Sequence, residues 1–215
     1  MKKKFLKIPT WYLRYTRTNK DFLFVLLWLY RECNYTTGEG KFTLAEIMHK
    51  TYENPSPARW KRLRNAIDTL IHECGVVTLR GSPDIHTVKP RQLVHVERFN
   101  YNYFYDLEKG FVLIPNSHIE KMIFSDGLIE VSDDNFFANV YNVYFEVMVK
   151  LNPIQQKTNF RLSAVAEILK ISVEQARDCV IALRKAEIFK EIKRGLENGV
   201  DLIYLQPIYD ERIKE

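Results

Sequence analysis

The chain has little of what metal binding, nucleotide hydrolysis or membrane insertion would require. Its three cysteines, Cys33, Cys74 and Cys179, are an odd number at no metal-ligand spacing, so neither a disulfide framework nor a cysteine zinc site is expected. They read as small apolar side chains near helix ends, kept reduced. The five histidines (His49, His72, His86, His95 and His118) form no metal-ligand pair either. Glycine is scarce at 8 of 215 residues, and no Gly-rich phosphate loop is present. The longest apolar run, Phe22 to Tyr30, falls far short of the about 20 residues of a membrane span. Behind Lys2-Lys3-Lys4 there is no apolar signal core. The acidic pair Asp133-Asp134 stands before a helix pattern and reads as a cap rather than a metal site. Tyr12, Tyr15 and Tyr30 lack the His-x-His partner of a strand-nicking tyrosine. These absences lead us to expect a cytoplasmic protein that is not an enzyme and carries no cofactor, no metal and no membrane segment.

What the chain does have is a repeat. Phe5-Leu6-Lys7-Ile8-Pro9-Thr10-Trp11-Tyr12 recurs as Phe111-Val112-Leu113-Ile114-Pro115-Asn116-Ser117-His118. An aromatic-rich apolar helix pattern follows each copy, at Phe22–Tyr30 and at Phe136–Val149. Then come Lys41-Phe42-Thr43-Leu44-Ala45-Glu46-Ile47 and Asn159-Phe160-Arg161-Leu162-Ser163-Ala164-Val165. Two copies of so long a unit indicate tandem domains rather than a solenoid. We place them at 1–100 and 101–215. Neither low-complexity sequence nor a Gly/Ser linker separates them, and an apolar share of 46% allows each a core.

Charge divides the halves. Residues 1–100 hold 18 Lys/Arg against 9 Asp/Glu, a surplus of +9, and residues 101–215 hold 14 against 18, a deficit of −4; together these give the net +5. Such asymmetry is the footprint of one half that meets a polyanion and one that does not, with random drift of surface charge as the alternative.

In the first half, Pro9 suits the first turn of a helix, and Asp21 caps a buried apolar helix ending near Cys33. Thr43 and Glu46 form a capping box. A third helix from about Pro57 to Cys74 has apolar residues at Trp60, Leu63, Ile67, Leu70, Ile71 and Cys74, and Gly75 ends it. Strands at Val76–Leu79 and Gln92–Val96 follow, with a long loop between them. The second half repeats this order. Ser163 and Ser172 serve as caps, and a hairpin at Phe189–Lys193 and Leu202–Leu205 has Gly195 and Gly199 at its tip. The alternating stretch Tyr101 to Tyr105 fits a strand with one face on a core better than a platform for stacked bases.

Helix, strand, helix, helix, strand, strand is the order of a winged helix-turn-helix. The expected fold class is therefore α+β, mainly α, with two tandem winged helix-turn-helix domains arising from an internal duplication. In that motif the early residues of the recognition helix reach base edges while flanking cations reach phosphates. Arg59, Arg62 and Asn65 are the candidates for bases, since arginine pairs bidentately with guanine and asparagine with adenine. Lys61 and Arg64 are the candidates for phosphates. The loop between the strands adds Arg80, Lys89 and Arg91, and Lys2, Lys3 and Lys4 form a basic arm. A merely solvated face is the alternative for each. In the second half Arg177, Lys190, Lys193 and Arg194 offer backbone contacts. Glu174 and Asp178 oppose them, so that half is expected to dimerise or recruit a protein.

Ile8-Pro9 and Ile114-Pro115, each before a buried helix and a winged-helix pattern, resemble replication initiators and replisome organisers of phages and plasmids in Gram-positive bacteria. The resemblance implies binding of double-stranded DNA at repeated origin sites and recruitment of replication proteins. A transcriptional regulator with the same DNA chemistry is one alternative, and a protein-interaction module that does not bind DNA is another.

Overall fold

The computed structural model describes residues 5–51, 55–100, 110–124, 136–151, 158–197 and 200–208. They gather into two compact units. Among the described residues, one runs from Arg14 to Gly110, and the other joins Phe5 to Leu13 with the chain from Phe111 onward. The division therefore differs from the expected one at residue 100, because the amino-terminal strand belongs with the second unit. Lys2, Lys3 and Lys4, the Tyr101–Tyr105 stretch, Asp133, Asp134 and Gly199 lie outside the described residues.

The first unit centres on α2 (Phe22–Glu32), which follows the short α1 (Leu13–Thr18). Every residue from Phe22 to Tyr30 is buried, as an apolar surface on all sides of a helix requires. Asp21 does not cap this helix through its side chain. Its carboxylate instead accepts from Arg62 Nε at 3.1 Å, a charge-assisted bond stronger than a neutral cap. After α2, Asn34 Oδ1 accepts the backbone N–H groups of Thr36 and Thr37, and the chain turns through Gly38 at φ +75°. A Cβ at Gly38 would stand 2.8 Å from the Phe99 carbonyl oxygen, so both conformation and space demand glycine.

Next come β2 (Gly40–Phe42), α3 (Leu44–Thr51) and α4 (Pro57–Asp68). The Thr43–Glu46 capping box is present, with reciprocal bonds of 2.7 and 3.1 Å. α4 runs on into a π-helical turn, Thr69–Glu73, and Gly75 at φ +64° ends it. β3 (Val77–Leu79) and β4 (Val94–Phe99) complete an antiparallel sheet in the order β2-β4-β3. Phe42, Val77, Leu79, Val94, Val96 and Phe99 turn its inner face to the core.

In the second unit the two Ile-Pro segments pair with each other. β1 (Phe5–Pro9) and β5 (Phe111–Pro115) run antiparallel, with Phe5 opposite Pro115 and Pro9 opposite Phe111. Leu6, Ile8, Val112 and Ile114 are buried, all on one face of this ribbon. Pro9 thus closes a strand, and a 3-10 turn over Thr10–Tyr12 follows it. A five-residue strand needs a neighbour for its backbone groups, and that neighbour lies about half the chain away.

The unit continues with α5 (Asn116–Phe124), α6 (Phe136–Val149), β6 (Thr158–Arg161), α7 (Leu162–Leu169), α8 (Val173–Lys185), β7 (Phe189–Glu197) and β8 (Val200–Pro207). Its three-stranded antiparallel sheet has the order β6-β8-β7. β6 runs directly into α7, so Ser163 falls inside the first turn instead of capping it, and Arg161 holds the cap position without a side-chain bond. α8 has the expected cap: Ser172 Oγ accepts from Gln175 N and Gln175 Oε1 accepts from Ser172 N, both at 3.0 Å. His118 on α5 is fully buried. Its Nδ1 lies 3.0 Å from Tyr144 Oη on α6 and its Nε2 lies 2.9 Å from the Ile208 carbonyl oxygen beyond β8.

The chain is therefore mixed helix and strand. In each unit a helix, a strand, two helices and two strands follow in that order, and the last strand is central in the sheet. No helix among the described residues is long and apolar enough to cross a membrane.

Candidate nucleic-acid interface

The site is built on α4. Ser56 caps it by accepting from Arg59 N, with Pro57 at the first turn, where a missing N–H costs nothing. Its inner face is Leu63, Ala66, Ile67, Leu70 and Cys74, all buried, and this fixes what turns outward. Trp60 and Ile71, expected in the core, are half-buried. Arg59 takes the place expected for Trp60, at 7% exposure. It stands one turn before Leu63 on the same face, and a long aliphatic stem lets arginine lie along apolar surface. Arg59 is thus not available at the surface to meet a base edge.

The remaining candidates on α4 separate by their partners. Arg62 is half-buried against Asp21, whose side chain is 3% exposed, and the Arg62 carbonyl accepts from Asn19 Nδ2 at 2.8 Å. Arg64 Nη2 donates to the Val88 carbonyl at 3.1 Å, and its guanidinium lies 5.7 Å from the Trp60 ring centre. Both arginines hold the unit together. Lys61 and Asn65 are exposed, and they stand one turn apart. They form an outward stripe that continues through Asp68 to His72, at spacings of four, three and four residues.

The loop between β3 and β4 lies against this helix. Ile85 and Val88 are buried, the Arg64–Val88 bond ties the loop to α4, and Ala45 N donates to the Pro90 carbonyl at 2.8 Å. Lys89 and Arg91 are exposed. Arg80 pairs with Glu39 at 3.2 Å with both side chains more than half exposed, an ion pair of little energetic weight. His86 Nε2 stands 3.8 Å from Asp68 Oδ1, and His72 Nε2 stands 3.6 Å from the same oxygen. Sequence reasoning passed over three further exposed groups, Lys41, His95 and Arg98. Lys41 is directly opposite His95 across β2 and β4; the alternation Val94-His95-Val96 was the signal for it.

α8 in the second unit presents a different surface. Glu174, Arg177 and Asp178 are exposed together, and Arg184 Nη1 bonds Glu191 Oε2 at 2.6 Å. Lys190 is exposed on β7. Lys193 and Arg194 take register positions on β7 opposite Tyr204 and Ile203. Burial holds the pKa of His118 down at about 4, so that imidazole is neutral, with one nitrogen donating to the Ile208 carbonyl and the other accepting from Tyr144. Desolvation also raises the Tyr141 hydroxyl well above the usual range, and that hydroxyl donates to the Met122 carbonyl at 2.9 Å.

Among the described residues no group of three His, Cys, Asp or Glu side chains is arranged to hold a metal ion. No protein-family model matches the chain, and no curated protein matches it by sequence.

Proposed function

We propose that this protein binds duplex DNA through its first unit, as one of two winged helix-turn-helix units descended from a duplication. The observation that carries the reading is the exposed pair Lys61 and Asn65 on a well-capped α4, flanked by the exposed cations Lys89 and Arg91 on the adjoining loop. In this reading Asn65 pairs with adenine, and Lys61 pairs with guanine or meets a phosphate. Arg80, Lys89 and Arg91 serve phosphates, which set orientation and affinity rather than sequence preference. Arg62 and Arg64 support the helix that carries the readers.

The role we assign is that of a replication initiator or organiser acting at repeated sites, in keeping with the resemblance of the Ile-Pro segments. The exposed carboxylates of Glu174 and Asp178 on α8 favour protein contact by the second unit over phosphate contact. Fluorescence anisotropy with random-sequence and origin-repeat duplexes across a salt series tests the reading. Binding should weaken steeply with salt and prefer the repeats. Failure to bind either duplex at low salt would overturn it and leave the protein-interaction reading.

A further inference from the structure

We propose that the protein associates with itself head to tail through its second unit, the outer face of the β1–β5 ribbon of one copy receiving the first turns of α8 from the next. This deepens the reading of the second unit as the one that meets protein, and it does not depend on DNA binding by the first. Among the described residues the large apolar side chains left open are Leu93 in the first unit and Phe111, Leu113 and Val173 in the second. The three in the second unit divide between two surfaces of opposite charge.

The ribbon is the first surface. Strand alternation buries Leu6, Ile8, Val112 and Ile114 on one side, which leaves Phe111 and Leu113 on the other at 46% exposure each. Phe5 and Lys7 stand half-buried on β1. Lys7 is directly opposite Leu113, and its Nζ lies 3.7 Å from the Phe111 ring centre, so its charge is held over the apolar patch. Neither strand contains a carboxylate. The second surface is the start of α8, where Val173 is 43% exposed beside exposed Glu174, Arg177 and Asp178. Positions 173 and 177, and 174 and 178, are one turn apart. Val173 thus sits among two carboxylates and one guanidinium, a surplus of one negative charge. The Ser172–Gln175 capping box fixes this end of the helix.

Their exposure means that neither patch covers the other within one chain. Between two copies, Phe111 and Leu113 meet Val173, and Lys7 meets the carboxylates of Glu174 and Asp178. A two-fold contact of ribbon with ribbon would set Lys7 against the same lysine of the second copy. A two-fold contact of α8 with α8 would set carboxylate against carboxylate. Opposite charge therefore selects the heterologous contact, and like charge disfavours both isologous ones. A heterologous contact leaves a ribbon open at one end and an α8 at the other, so copies add on into a ring or an open chain. Strands of five residues span only about 17 Å, and the face they make is far smaller than the roughly 800 Å² a side of a stable interface. The contact is consequently weak between free copies and gains strength where copies are held side by side.

The test is analytical ultracentrifugation of the full chain without DNA, from about 1 to about 500 μM protein, with circular dichroism to show that each variant is folded. The weight-average mass of wild type should rise at least about twofold over that range, and less at high salt. Lys7→Glu and Glu174→Lys should each stay near the monomer mass when alone. An equal mixture of the two should associate again, because each supplies the patch that the other lacks. Association of either variant at the wild-type level would overturn the head-to-tail contact, and so would a mixture that stays monomeric. A wild type that is monomeric at every concentration would overturn self-association and leave the second unit to meet a different protein. With no DNA present, none of these results bears on the DNA reading of the first unit.

Discussion

The helices α4 and α8 stand at the same place in the element order of their units. Each is capped by a serine, yet they face outward with opposite chemistry. α4 presents Lys61 and Asn65, with its arginines turned to internal partners, while α8 presents Glu174 and Asp178 around Arg177. The contrast extends to histidine. His49, His72, His86 and His95 in the first unit are all exposed, whereas His118 in the second is sealed between Tyr144 and the Ile208 carbonyl. One unit thus turns these polar groups outward, and the other turns a polar group inward as a lock. Secondary structure places a helix, and function depends on which side chains its packing leaves free.

The inward lock should break most severely. Replacing His118 with Phe leaves Tyr144 Oη and the Ile208 carbonyl without this buried partner, at a cost of about 2–4 kcal/mol, measured by chemical denaturation. The sign of its pH dependence follows from the lowered pKa. The unfolded chain takes up a proton below about pH 6.5 and the folded chain only near pH 4, so stability is full above 6.5 and is lost as pH falls through that window. The loss approaches about 3 kcal/mol at full protonation, and the pH profile of His118→Phe should lack it.

Next in size is the outward face. Lys61→Glu/Asn65→Ala should weaken duplex binding by about 30- to 100-fold with the fold intact. On α8, Arg177→Glu should change binding less than about twofold, because carboxylates already flank it. Equal losses from the two helices would erase the distinction between the units. Arg62→Ala should lower binding and thermal stability together, since it removes one charged partner of buried Asp21.

Backbone and capping effects are smaller. Gly38→Ala, strained in φ and pressed against Phe99, should cost about 2 kcal/mol, and Gly75→Ala, with open space around it, no more than about 1 kcal/mol. Ser172→Ala removes one partner of a two-bond capping box and should cost about 1.5 kcal/mol. Ser56→Ala, which loses a single 3.4 Å bond, should cost about 0.5 kcal/mol. Thermal denaturation of each pair gives the comparison.

Much of this architecture was legible from local signals. The Thr43–Glu46 box, the Ser172 cap, the Gly75 stop and the buried run Phe22–Tyr30 each depend on residues within a few positions of one another, where backbone geometry relates spacing to contact. The order of strands and helices and the segregation of charge follow from such signals too. Asp21 and Ser163 were misread for a shared reason: their side chains were weighed only against adjacent backbone. For Asp21 the stronger partner was Arg62, 41 residues away, and for Ser163 the strand β6 had already run to the edge of the helix.

What the sequence by itself determined is therefore the inventory: capped helices, alternating strands, a repeated Ile-Pro segment and a basic first half. Tertiary structure decided the use of each part. It paired the two Ile-Pro segments with each other, turned Arg59 inward, bound Arg62 and Arg64 to internal acceptors, and brought His86 to Asp68. The physical reason is range. Propensity, capping and periodicity act between neighbours along the chain, but whether a cation is held inside or left facing solvent depends on what distant segment packs beside it.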